Sequence, residues 1–120
     1  MDFDAQIANI KADFISSHKI LLAIGNETRQ LIFITLLGAP CAGMRVGDIQ
    51  AKTHLSRPAV SHHIKVLLDC GLAGCSKEGT KNFYYLNTGG AFETLHSLTG
   101  RIMQFNEAVA AIGMERKAGR

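Results

Sequence analysis

The sequence contains no apolar run long enough to cross a bilayer. Its longest such stretch, Leu31 to Leu37, falls far short of the roughly 20 residues that a spanning helix needs. The start, Met1-Asp2-Phe3-Asp4, lacks the positive charge of a secretory signal. Cysteine is scarce and odd in number: Cys41, Cys70 and Cys75 do not make an extracellular disulfide framework, and free thiols are the expectation. The expected location is the cytoplasm. Internal repeats, low-complexity tracts and long linkers are also missing, so the 120 residues, 47% of them apolar, read as a single domain over 1–120. No nucleophile stands with a base and an orienting acid, and no three metal ligands cluster, so neither an enzyme nor a cofactor site is expected.

Charge of either sign is not in large excess. The net +3 is too modest to imply a polyanionic partner by itself. Its distribution says more. Between residues 45 and 85, Arg45, Lys52, Arg57, Lys65, Lys77 and Lys81 face only Asp48, Asp69 and Glu78, while the two flanks cancel. His54, His62 and His63 lie in the same segment and add positive charge when protonated. The middle of the chain is therefore the part that would face a polyanion.

Phe3, Ile7, Ile10, Phe14, Leu21 and Ile24 recur at steps of three and four, with Ser17 in the one gap, which is the stripe of an amphipathic helix over 1–24. After Gly89-Gly90, the residues Leu95, Leu98, Ile102, Phe105, Val109 and Ile112 repeat the pattern over 90–113. Two such stripes either cover the chain's own core or form a two-fold dimer interface. Between them, Asn26 is a good N-cap for a helix to about Leu37, with Gly38 and Pro40 as stop signals. The run 31–37 would also suit a buried strand, and the cap decides for helix.

A short helix over about Arg45 to Lys52, the turn Thr53-His54-Leu55, and a second helix capped by Ser56 with Pro58 in its first turn make a helix-turn-helix over 45–70. Gly71 suits a left-handed helix end. Over 72–87, apolar and aromatic residues flank the polar Lys77 to Asn82, as in a β-hairpin with an exposed tip. The expected fold is mainly α: about five helices and one hairpin, ordered ααααββα, a winged helix-turn-helix.

On the second helix of the motif, an advance of about 100° per residue places Val60, Ile64, Leu67 and Leu68 on the core side. The opposite face carries Pro58, Ser61, His62, Lys65 and Asp69. Ser61 and His62 suit base edges, Lys65 suits a phosphate, and Arg57 suits either. The Ser56 end also offers backbone N–H groups to a phosphate. Lys77, Thr80 and Lys81 on the hairpin would lie along the adjacent DNA backbone. His63 falls at the border of the core face, with His62 pointing away from it.

At this point the sequence resembles the ArsR/SmtB family of bacterial repressors. The likeness is carried by Gly25-Asn26-Glu27-Thr28-Arg29, by Leu55 to Leu67 with its Ser61-His62-His63, by Gly71-Leu72, and by Glu78 to Tyr85. It implies a homodimer built from the first and last helices, with Phe3, Ile7, Ile10, Phe14, Leu95, Leu98, Ile102, Phe105 and Val109 at the interface. It also implies repression from double-stranded operator DNA within the nucleoid. Metal-sensing members carry Cys-x-Cys before an Asp-Leu pair, where this chain has Arg45-Val46-Gly47-Asp48-Ile49. Their other site uses Asp-x-His and a later His-x-x-His or His-x-x-Glu, whereas Asn87 to Phe92 hold neither and His96 has only Glu93 and Glu107 near it in sequence. No metal is therefore expected. Cys41, Cys70 and Cys75 are the candidate thiol sensors, with Cys41 foremost because Arg45 follows it closely. Constitutive repression without an inducer and a protein-binding winged helix are the competing readings.

Overall fold

A computed structural model describes residues 2–113, so Met1 and residues 114–120 of the expected 1–120 domain lie outside the described residues. Seven elements follow the expected order: α1 (Phe3–Ile24), α2 (Glu27–Leu36), α3 (Val46–Thr53), α4 (Arg57–Asp69), β1 (Ala73–Glu78), β2 (Lys81–Leu86) and α5 (Gly90–Ala111). Among the described residues they form two compact units, one drawn from 2–17 and 93–113 and the other from 18–92. No helix among the described residues is long and apolar enough to cross a membrane.

The unit of 18–92 holds most of the core. Asn26 starts α2 as its composition demands: the side-chain Oδ1 accepts the Arg29 N–H at 3.0 Å, satisfying a donor that the first turn leaves without a partner. With the helix begun, Ile32 and Leu36 fall one turn apart and are fully buried, while Ile34, between them, is 64% exposed. The helix packs against α3, α4 and β2. From α3 comes Ile49, from α4 Val60, Ile64 and Leu67, and from the chain beyond it Leu72, all essentially inaccessible to water.

β1 and β2 pair antiparallel from Ala73↔Leu86 to Glu78↔Lys81, leaving a two-residue turn. Gly79 takes φ 63 at its first position, where a side chain would be strained and glycine is not. At Gly74 the ring of the cross-strand Tyr85 lies where a Cβ would stand, 2.5 Å from it, so the aromatic covers the bare backbone. One further pairing is absent from the expected order. Met44 bridges β2 at Tyr84, with N–H to carbonyl bonds of 2.8 Å in both directions, which fastens the hairpin to the segment leading into α3.

In the other unit, the rings of Phe3 and Phe105 meet edge to face with centroids 5.7 Å apart. The Asp13 carboxylate takes the Arg101 guanidinium at 2.8 Å and the Ser97 hydroxyl at 3.2 Å. The stripe residues divide by exposure. Leu98 is buried within the protomer at 3% exposure, whereas Phe3, Ile10, Leu95, Phe105 and Val109 are half-buried and Ile7, Phe14 and Ile102 are exposed.

Candidate nucleic-acid interface

Three local devices shape the helix-turn-helix. The Arg45 N–H donates to the Asp48 carboxylate at 3.2 Å, closing the start of α3. His54 ends that helix in the left-handed region at φ 61, the only non-glycine residue with positive φ among the described ones, and its N–H reaches the Gln50 carbonyl at 2.8 Å. Ser56 then caps α4, its hydroxyl accepting the Ala59 N–H at 3.3 Å. That bond corrects one expectation. With Ala59 satisfied internally and Pro58 lacking an N–H, Arg57 has the only backbone donor of residues 57–59 not so committed.

The two faces of α4 separate as expected from their spacing. Val60, Ile64 and Leu67 are buried and Leu68 is half-buried, while Arg57, Pro58, Ser61, His62, Lys65 and Asp69 are exposed. One helix face therefore offers a hydroxyl, an imidazole and an ammonium to a partner, which is what reading base edges and holding phosphates requires.

His63 is more tightly held than its sequence position suggests. Its Nδ1 lies 3.2 Å from Arg29 Nη1. A guanidinium only donates, so Nδ1 accepts and the ring is neutral with its proton on Nε2. Burial first, then the Arg29 charge and then His62, hold the His63 pKa below its ordinary value of 6.5. Arg29 also donates from Nε to the Ala23 carbonyl at 2.9 Å and from Nη2 to the Leu22 carbonyl at 3.3 Å. One arginine thus ties the end of α1 and the start of α2 to the recognition helix. Sequence reasoning gave Arg29 no such role, because its partners are 6, 7 and 34 residues away. The His62 and His63 rings, expected to diverge, meet edge to face at 5.1 Å.

On the hairpin, Lys77, Thr80 and Lys81 are all exposed. They do not act as one group. Lys77 pairs with Asn82, and strand alternation puts it on the same face as Tyr84, whereas Lys81 pairs with Glu78 on the opposite face. Thr80 lines a notch of about 460 Å³ together with Arg45, Gly47, Asp48, Arg57, Ser61, Asn82 and Tyr84. The notch brings together the starts of α3 and α4 and the wing. Among the members that sequence reasoning left out of the DNA-facing set, Arg45, Asn82 and Tyr84 are the ones whose side chains can donate to a phosphate; an arginine opening a helix and two polar residues on a strand next to the tip were the available signals.

All three cysteines are free. Cys41 and Cys75 are exposed, and Cys70 is half-buried with its thiol 3.5 Å from the Leu67 carbonyl. Among the described residues, no group of three or more His, Cys, Asp or Glu side chains is arranged to hold a metal ion.

Five helices with a two-stranded antiparallel wing after the fourth, and a polar recognition face on α4, define the winged helix-turn-helix class of DNA-binding proteins. Residues 27–73 match the family described as bacterial regulatory protein, arsR family. The uncharacterized HTH-type transcriptional regulator MJ1325 of Methanocaldococcus jannaschii is 37% identical over 68 residues, 57% of this chain and 74% of that protein. The transcriptional repressor SdpR of Bacillus subtilis is 31% identical over 71 residues, 59% of this chain and 76% of that protein. The chain belongs to the arsR family of regulators, whose work is transcriptional regulation and not catalysis. Its fold is shared by Mb0332 of Mycobacterium bovis, solved as a homodimeric winged helix-turn-helix DNA-binding domain, with a TM-score of 0.58, 20% identity and 92% of each chain covered.

Proposed function

We propose that this regulator is a homodimeric repressor that binds operator DNA through α4 and the wing. The observation that carries the reading is the division of α4. Ser61, His62 and Lys65 stand exposed on one side, while Val60, Ile64 and Leu67 anchor the other in the core. Arg57 and Ser56 lie at the entering end of that helix, with Lys77, Thr80 and Lys81 on the wing for the flanking backbone. The sequence similarity to a repressor and the shared fold with a homodimeric DNA-binding domain support both parts of the proposal.

In the dimer, the exposed stripe residues Ile7, Phe14 and Ile102, with the half-buried Phe3, Ile10, Leu95, Phe105 and Val109, supply the interface. Leu98 supports it from beneath, since it is already buried in its own protomer. A two-fold pair presents its recognition helices to half-sites about 34 to 36 Å apart. The whole domain, with its dimerisation helices, 45–70 motif and 72–87 wing, works in the cytoplasm. The exposed thiols of Cys41 and Cys75 make thiol-reactive agents the first inducers to try. Cys41→Ser is expected to retain DNA binding in the presence of oxidant.

The test is binding of the reduced, full chain to the DNA upstream of its own coding region, against a scrambled duplex. Selective binding with a stoichiometry of two chains per site is the expected result. Equal affinity for both duplexes, or loss of neither on Ser61→Ala and His62→Ala substitution, would favour a protein-binding module instead. Release by no thiol reagent would leave repression constitutive.

A further inference from the structure

We propose that the notch between the starts of α3 and α4 and the wing is a seat for one DNA backbone phosphate, with Arg45 and Arg57 as its cations and Asn82 and Tyr84 as its neutral donors. This rests on the DNA-binding reading above and adds to it Arg45, Asn82 and Tyr84, which that reading does not contain.

The lining is the first reason. It brings two guanidinium-bearing residues, a carboxamide, a phenol and the hydroxyls of Ser61 and Thr80 around one space of about 460 Å³. That volume admits a phosphodiester group with its flanking sugar atoms and is too polar for an apolar ligand. Among the described residues, the one ion pair is Arg101–Asp13, so neither Arg45 nor Arg57 is neutralised by a carboxylate. Asp48 is the one acid in the lining, and it is occupied by the Arg45 N–H. The balance at the notch is one net positive charge, and Lys77 lies on the same strand face as Asn82 and Tyr84.

The second reason is construction. The Met44–Tyr84 bridge, with its 2.8 Å bonds, fixes strand β2 directly to the residue preceding Arg45. One short piece of sheet therefore sets the start of α3 against β2, while Thr80 joins the lining from the hairpin turn. Gly47 is also part of the lining, and a Cβ there would meet no atom within 4 Å, so a larger side chain at this position has open space to occupy. The notch also adjoins the reading face, since Ser61 belongs to both. A backbone strand seated there would pass between helix and wing, leaving His62 and Lys65 free for the groove.

A seat for phosphate contributes affinity without sequence preference and does so through released counterions. Each neutralised phosphate adds about 0.9 to the slope of log K against log salt concentration. Removing one such contact therefore makes a four-fold rise in salt cost about 3.5-fold less affinity than it costs the wild type. The neutral donors act differently, lowering affinity at every salt concentration without changing the slope.

The experiment is a fluorescence anisotropy titration of the full-length chain on a labelled duplex of its upstream DNA and on a scrambled one, between 50 and 200 mM salt. The variants are Arg45→Gln, Gly47→Glu, Asn82→Ala and Tyr84→Phe, with Lys11→Gln, which does not line the notch, as a control and thermal melting to confirm that each folds. Arg45→Gln is expected to reduce the slope by about 0.9, and Gly47→Glu to weaken binding more than ten-fold by placing a carboxylate in the seat. Asn82→Ala and Tyr84→Phe are expected to lose several-fold in affinity at constant slope. In each case the ratio between the two duplexes stays unchanged. Wild-type binding with unaltered slope and affinity in Arg45→Gln and Gly47→Glu overturns the seat while leaving the repressor reading in place. A changed duplex ratio would make Arg45 a base reader and also overturn it. Absence of any salt-sensitive DNA binding by the wild type overturns the parent reading and the seat together.

Discussion

Replacing Gly43 with alanine should damage this protein far more than a single methyl group on a loop would suggest. Two costs arise at the same atom. Gly43 sits at φ +75, a region that costs a residue with a side chain about 1 to 2 kcal/mol. Its Cβ would also stand 2.8 Å from the Tyr84 carbonyl oxygen, 3.2 Å from the Tyr84 carbonyl carbon and 3.3 Å from that of Phe83. All three are backbone atoms that cannot rotate aside. The relief available is to part the Met44–Tyr84 bridge and its two 2.8 Å hydrogen bonds, each worth about 1 kcal/mol net. The sum is about 3 to 4 kcal/mol, a large share of the roughly 5 to 15 kcal/mol by which a domain is stable. For a chain of this size that corresponds to a fall in Tm of about 10 to 15 °C. Gly47→Ala is the matched comparison: it lies in the first turn of α3, meets nothing within 4 Å, and should change stability by less than about 1 kcal/mol, in the favourable direction. Differential scanning calorimetry on both variants gives the answer. A Gly43→Ala protein melting within about 2 °C of the wild type would refute the argument that the bridge holds the wing rigidly.

Leu36→Ala should cost about 2 to 5 kcal/mol in urea denaturation, because the side chain is wholly buried, while Leu37→Ala, half-exposed, should cost under about 1 kcal/mol. Stability should also depend on pH through His63, whose pKa is lowered by burial, by Arg29 and by His62. In the unfolded chain this histidine protonates near pH 6.5, whereas the folded protein resists protonation to lower pH. Its contribution is therefore present above about pH 6.5 and lost as the pH falls through the folded value. Urea midpoints measured at pH 7.5 and 5.5 should fall more for the wild type than for His63→Gln; equal falls would remove His63 as the cause.

Much of this molecule is legible in local chemistry. Asn26 and Ser56 cap the helices they precede, Gly79 makes the wing's two-residue turn, and the spacing of Val60, Ile64 and Leu67 shows which side of α4 the core takes. The ambiguous run 31–37 resolves the same way. Ile32 and Leu36 are buried with Ile34 exposed, a helical period that no strand would produce. These features depend on neighbours within four residues along the chain, so composition and spacing carry them.

The features that complete the candidate interface depend on residues far apart in sequence. The Met44–Tyr84 bridge joins positions 40 residues apart, and Arg29 reaches His63 across 34. Neither has a periodicity to betray it, because each is a single pairing set by how the helices pack. The same holds for the notch. Arg45 and Asn82 are unremarkable polar residues in their own segments, and only the closure of the sheet onto the start of α3 brings them to one place. Leu98 makes the point in reverse: its place in the stripe suggested a surface for a second chain, and packing within the protomer buries it. Local rules thus determined which residues form each helix and strand and which side of α4 faces outward. Tertiary packing alone decided which distant side chains share a site, because that depends on the path of the whole chain between them.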